Sequence, residues 1–224
     1  MYTPDPYFDV AAQKRQLNLR QYVFLFFGFI IKYKGLHNAI AAFADLAKNR
    51  EDVSLLIVGE SSWQTPKKER MYDRFKRIFS RELRAQFLSR QEDEQHYRPL
   101  EMIDQLGIRD KVTVVNEFIP NEDVHKYFQV SDAIVLFYET AIVSGVGSIA
   151  FNFKIPIVAS RVGHFPESVK DGTTGFLANV DDVYSMTEAM LNIIEQPILS
   201  ENIEKKSKSM SWENYAKSIL KIAK

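Results

Sequence analysis

Short apolar runs alternate along this chain with segments of helical period, and that alternation constrains the fold more than any other feature. The runs are Tyr22–Ile30, Val53–Val58, Val112–Val115, Ala133–Phe137, Ile155–Ala159 and a shorter Gly175–Ala178. Their near-continuous Val, Ile, Leu and Phe content suits strands covered on both faces, as in a parallel sheet held between helices. Leu36, Ile40, Phe43, Leu46 and Ala47 recur at helical spacing after the first run, and Val183, Met186, Met190, Leu191 and Ile194 do so after the sixth. Asn121 reads as the cap of a helix burying Val124, Tyr127 and Phe128, and Ser211 as the cap of a last helix with Trp212, Tyr215, Ile219 and Ile222. The pattern predicts an α/β, doubly wound, Rossmann-like parallel sheet of about six strands.

A chain of 224 residues fits one such domain over residues 1–224, with residues 1–20 read as a linker-like start because of Pro4 and Pro6. Lysine plus arginine and aspartate plus glutamate number 29 each, so no overall field draws the molecule to nucleic acid, and no nucleic-acid partner is expected. Without cysteine there is no disulfide frame, thiolate nucleophile or zinc-thiolate site. The opening residues lack a basic start followed by an apolar core, so no export leader is read there. The apolar stretch from Tyr22 is about half of the ~20 residues that cross a bilayer. A cytoplasmic location follows as the expectation.

Residues 65–105 depart from this economy. Lys67, Lys68, Arg70, Arg74, Lys76, Arg77, Arg81 and Arg84 interleave there with Met71, Phe75, Ile78, Phe79, Leu83 and Phe87 at spacings of three and four. This is the pattern of a charged helical insertion. Two uses stay open: one face packed on the domain with the other solvated, or contact with an acidic partner or the inner face of a membrane.

Ligands of open α/β sheets gather outside the carboxyl ends of the strands, which points to the loops Gly28 to Gly35, Gly59 to Trp63, Asn116 to Asn121 and Glu139 to Gly147. In the last of these, Ser144-Gly145-Val146 follows a strand and opens a helix, so unpaired amides and the positive helix end would face an anion such as phosphate. The glycines serve a tight strand-to-helix turn equally well. Lys34, in Lys32-Tyr33-Lys34-Gly35, is the candidate cation, while Lys32 reads as a solvated loop lysine. Glu60, Glu117, Glu139 and Glu167 show no spacing that defines an acid/base couple, and His37, His96, His125 and His164 show no metal-ligand spacing. His125 is expected on a helix surface, and His164 reads as a surface histidine in the loop after the fifth run.

Taken together these residues resemble the C-terminal, donor-binding half of a GT-B-fold retaining glycosyltransferase of group 1, or family 4. Phe26-Phe27-Gly28-Phe29-Ile30-Ile31-Lys32-Tyr33-Lys34-Gly35-Leu36 is similar to the family's glycine-to-Lys-Gly-Leu opening. Leu55-Leu56-Ile57-Val58-Gly59-Glu60 resembles its second strand and turn. Val112 through Pro120 to Ser131-Asp132, Pro156 to Ser160, Gly163 with Pro166-Glu167, and Asp171-Gly172-Thr173-Thr174-Gly175 follow in the family's order.

The resemblance implies a UDP-, GDP- or ADP-sugar lying along the strand ends. Gly28 belongs to the opening motif, the base would lie near Phe118 and Ile119, the diphosphate would meet the amides of Ser144, Gly145 and Val146, and Glu139, Gly163 and Glu167 would lie near the sugar. Lys34 would be catalytic, neutralising the leaving diphosphate as its charge grows. No cofactor beyond the donor and no metal is implied. The implied acceptor is a glycan or lipid-linked sugar, held by an acceptor-binding N-terminal domain that this chain lacks and that a longer chain or a partner would supply.

Two departures bear on activity. Ala141 and Ile149 stand where many members carry glutamates, and Ile31 stands near where one branch of the family carries an arginine. The alternative expectation is therefore a catalytically degenerate, non-catalytic partner or regulatory domain of the same fold. An epimerase or phosphorylase on this fold is a third.

Overall fold

The computed structural model describes residues 2–61, 96–140 and 144–209. Six parallel strands form one sheet in the order β3-β2-β1-β4-β5-β6: β1 is Tyr22–Phe27, β2 Val53–Val58, β3 Val112–Val115, β4 Ala133–Leu136, β5 Ile157–Ser160 and β6 Gly175–Ala178. The helices are α1 Val10–Gln16, α2 Leu36–Ala47, α3 Met102–Gln105, α4 Val124–Gln129, α5 Gly145–Asn152, α6 Phe165–Ser168, α7 Val183–Glu195 and α8 Ser200–Ser209.

Each strand feeds both faces of the sheet, because successive side chains point to opposite sides. Phe24 and Phe26 join Leu36, Ile40 and Phe43 of α2 and Met186 and Met190 of α7 in one core. Val23 and Leu25 join Val124 and Phe128 of α4, Ala150 and Phe151 of α5 and Ile203 of α8 in the other. Every residue of β2 and of β4 is buried, which is what a doubly covered strand requires. At about 1.5–3 kcal/mol for each fully buried large apolar side chain, these two layers hold the strand ends, and so the loops beyond them, in place.

Several boundaries differ from the sequence reading. The first strand ends at Phe27, not Ile30, because Gly28 turns the chain at φ 106°, and Ile30 rejoins through an isolated bridge to Ser61. The fifth begins at Ile157, since the Ile155 amide is taken by the carbonyl of Ala150 and Pro156 has no N–H to give a ladder. Asn121 caps no helix. The chain turns from Pro120 to Asp123 before α4 begins, and the Asn121 side chain accepts from the Tyr2 hydroxyl at 2.7 Å.

The start read as linker-like carries helix α1, whose Ala12 amide donates to its cap Asp9 at 2.8 Å. Phe8 meets the His125 ring edge-on at 5.2 Å, and Gln129 exchanges two hydrogen bonds with the backbone of Asp5. His125 is thereby half-buried rather than on an open helix surface. Of the segment 65–105, only its end is described: a short 3-10 turn, Pro99–Glu101, runs into α3. The basic stretch before it, the Ser211 cap and the last helix lie outside the described residues.

Candidate functional site

The strand order reverses between β1 and β4, so the loops leaving these neighbours diverge to opposite faces and open a crevice at the carboxyl edge. Gly28 and Lys34 come from the β1 side of it, and Glu139, Ser144, Gly145 and Val146 from the β4 side. Phe118 and Ile119 follow β3, beyond β2 on one flank; Gly163 and Glu167 follow β5 on the other.

On the β1 side the chain tightens into a 3-10 turn, Lys32–Lys34, closed by Gly35 at φ 65°. Only glycine fits at position 35: a Cβ there would sit 1.8 Å from the carbonyl oxygen of Phe137. The turn is thus pressed onto the end of β4, and the Glu139 amide donates to the Tyr33 carbonyl at 2.9 Å. Gly28 makes room for Lys34 itself, since a Cβ at position 28 would lie 2.9 Å from Nζ.

The Lys34 ammonium faces the Phe29 ring at 6.0 Å and has no carboxylate within ion-pair distance among the described residues. Burial pulls its pKa down to about 8, because a desolvated cation is disfavoured. A lysine left in this condition gains from an incoming anion. Lys32 is half-buried, not simply solvated.

On the β4 side, Ser144 leads into α5 with extended backbone, φ −120° and ψ 112°, and its side chain does not cap the helix. Its hydroxyl instead lies 3.5 Å from that of Tyr138. Among the described residues the first-turn amides of α5 therefore keep no side-chain acceptor, and no described atom lies within 4 Å of a Cβ built on Gly145. Gly147 has a different reason: it packs on Ile157 and Leu136.

Rings tie the two sides together. Tyr33 meets Tyr138 edge-on at 6.0 Å, Tyr138 meets Phe165 at 5.4 Å, and Phe165 lies 4.7 Å from His164. Burial pushes the Tyr138 hydroxyl up to about 12, against the pull of its contact with Ser144. His164 is not the surface residue expected: its Nδ1 is buried without a hydrogen-bond partner among the described residues, as is the Ser160 hydroxyl at the end of β5. Glu167 is exposed, with its carbonyl bonded to Lys206, and Phe118 is 67% exposed.

Sequence reading missed His37. It lies in the first turn of α2, with Nε2 3.4 Å from Glu139 Oε1 and Nδ1 3.0 Å from the Tyr97 hydroxyl, which also accepts from the His37 amide at 3.1 Å. Burial lowers the His37 pKa, Glu139 and Asp181 oppose that, and Lys32 adds to it. A surface concavity of about 640 Å³ lined by Ala44, Lys48, Lys111 and Tyr184 lies elsewhere, beside the last turn of α2 where the chain approaches β2.

The family model for glycosyl transferases group 1 matches residues 8–210. The chain belongs to that family. Its six-stranded parallel sheet matches GT-B glycosyltransferase domains. The C-terminal domain of a group 1 family protein, LpcC, from Francisella tularensis superposes with a TM-score of 0.68 at 16% identity, covering 93% of this chain and 95% of that one. Anabaena Alr3699/HepE in complex with UDP superposes at 0.71 and 18% identity, covering 99% of this chain and 54% of that one, and the same protein has been solved with UDP-glucose. N-acetyl-alpha-D-glucosaminyl L-malate synthase from Bacillus anthracis is 23% identical over 116 residues, 52% of this chain and 30% of its own length. This group 1 chain spans about half of the Anabaena glycosyltransferase and less than a third of the Bacillus relative's length.

No described helix is long and apolar enough to cross a membrane. No described group of three or more histidine, aspartate or glutamate side chains could hold a metal ion.

Proposed function

We propose that this chain is the donor-binding half of a retaining group 1 glycosyltransferase, holding a nucleoside-diphosphate hexose for transfer to a glycan or lipid-linked acceptor. The observation that carries the reading is the pairing, across one strand-order reversal, of an ammonium with no carboxylate partner among the described residues and a helix start that its own Ser144 side chain does not cap. A pyrophosphate between them would neutralise the one and satisfy the other. Lys34 and the amides of Gly145 and Val146 take the diphosphate. The exposed Phe118 ring and Ile119 serve the base, and Glu139, Gly163 and Glu167 serve the sugar.

Charge on the diphosphate grows as the glycosidic bond breaks. A lysine already desolvated then contributes more to the transition state than to the ground state, and so raises the rate as well as the affinity. The neighbours solved with UDP and UDP-glucose support the donor class. An acceptor-binding domain, in the same chain or a partner, completes the enzyme, and the basic stretch before Pro99 is a candidate contact with a membrane surface.

Ala141 and Ile149 favour a second reading, a domain that keeps nucleotide binding and has lost transfer. Thermal unfolding with UDP, GDP and ADP tests what the two readings share: a ligand at a hundred times its Kd stabilises by about 2.7 kcal/mol. Transfer by the complete enzyme separates them. A Lys34→Ala variant loses transfer under the first reading and leaves the rate unchanged under the second.

A further inference from the structure

We propose that Glu139 is the carboxylate that recognises the hydroxyls of the donor's sugar, and that His37, held by Tyr97, is the positioning residue that aims it. The inference rests on the donor-binding reading above and assigns a chemical partner to one place within that site.

Glu139 stands in the crevice between the Lys34 turn and the start of α5, its amide fixed to the carbonyl of Tyr33. About a quarter of its side chain is exposed, and Oε1 faces His37 Nε2 at 3.4 Å. Oε2 forms no hydrogen bond with a described residue. One oxygen therefore faces the histidine, and the other keeps its accepting capacity unused by the described residues.

A carboxylate beside a pyrophosphate site cannot serve the pyrophosphate, since two anions repel in a partly desolvated crevice. It can serve the uncharged portion of the same ligand. Sugar hydroxyls donate hydrogen bonds, an ionised carboxylate only accepts them, and such charge-assisted bonds are the stronger kind.

The His37 ring is built to hold that carboxylate. The His37 amide donates to the Tyr97 hydroxyl, so the hydroxyl proton is free to be given to Nδ1, and the tautomer that accepts it carries its own proton on Nε2, facing Glu139. A neutral imidazole in this arrangement is bonded to Tyr97 on one side and keeps its Nε2 3.4 Å from the carboxylate on the other. The Tyr97 ring stands edge-on to the imidazole at 5.5 Å, and Asn38, the next residue, is anchored on Asp181 at 3.2 Å. Rotation of the ring would break contacts on two sides.

Calorimetric titration of the full chain with UDP, GDP and ADP, and with UDP-glucose, GDP-mannose and ADP-glucose, tests the inference through the ratio of sugar-nucleotide to nucleotide affinity. Glu139→Gln is expected to lower that ratio about tenfold for the cognate pair while nucleotide affinity stays within about twofold. His37→Ala is expected to do the same, and Glu139→Gln with His37→Ala to lose no more than Glu139→Gln alone, since the histidine acts through the carboxylate. Tyr97→Phe removes a single oxygen and keeps the packing, so a smaller drop there supports the relay even should His37→Ala fail to fold.

An unchanged ratio in Glu139→Gln overturns the inference, as does an equal loss of nucleotide and sugar-nucleotide. Failure of the unaltered protein to bind any of the three nucleotides overturns the donor-binding reading itself.

Discussion

Lys34 is the residue at which fold and proposed function oppose each other most directly. Its pKa of about 8 in the folded chain lies below the usual value near 10.5, so protonation favours the unfolded state. The destabilisation is fully present below pH 8 and disappears as pH rises from 8 towards 10.5. Lys34→Met is therefore expected to raise the unfolding free energy at pH 7 by about 1–3 kcal/mol, with the difference from the unaltered protein shrinking above pH 8, as measured by urea denaturation across pH. The same variant is expected to lose nucleotide binding. A gain independent of pH would show that the lysine is not the desolvated cation described. The residue scale is also where the sequence was least informative. Lys34 and Ser144-Gly145-Val146 could be singled out as candidates because local strand-loop-helix order marks such positions, and their role in the site is the proposal these variants test. The facing of His37 and Glu139 was not, because it is made by β1 and β4 lying side by side and leaves no mark in local spacing.

At the scale of elements, the two ends of helices make separable predictions. The amide of Gly145 begins α5, and Ser144 before it already has the extended backbone that a following proline demands. Gly145→Pro therefore removes one N–H from a position that tolerates proline and leaves the helix intact. Nucleotide affinity is expected to fall about tenfold, the worth of one hydrogen bond to a charged group, with little change in melting temperature. An unaltered affinity would remove this amide from the site. The other end concerns α2, where the buried Lys111 donates to the carbonyls of Ala47 and Arg50 at 2.7 and 3.2 Å and pairs with Glu51 at 2.8 Å. Lys111→Met takes their donor from the Ala47 carbonyl at the end of α2 and the Arg50 carbonyl in the loop beyond it. Denaturant unfolding is expected to show a loss of about 1–3 kcal/mol, and titration an unchanged nucleotide affinity. Element boundaries followed the same logic of legibility. Val53–Val58, Val112–Val115 and Gly175–Ala178 are strands over the spans their apolar runs mark. The first run continues past Phe27 in composition but not in structure, because the turn is made by one glycine inside it, and α1 was hidden behind two prolines.

On the scale of the whole molecule, the alternation of apolar runs and helical segments was enough to read the architecture. A strand buried on both faces leaves so little compositional freedom that its partners on either side are implied. The order of the strands sets the site, since a reversal between β1 and β4 is what brings two loops distant in sequence to one crevice. Titration of nucleoside diphosphates into the full chain, beside Lys34→Met, tests that convergence most directly. The account predicts that at least one of UDP, GDP and ADP binds the unaltered protein and that the variant, though folded and more stable, loses at least tenfold in affinity. Equal affinity of the two proteins, or no binding to either, would contradict it.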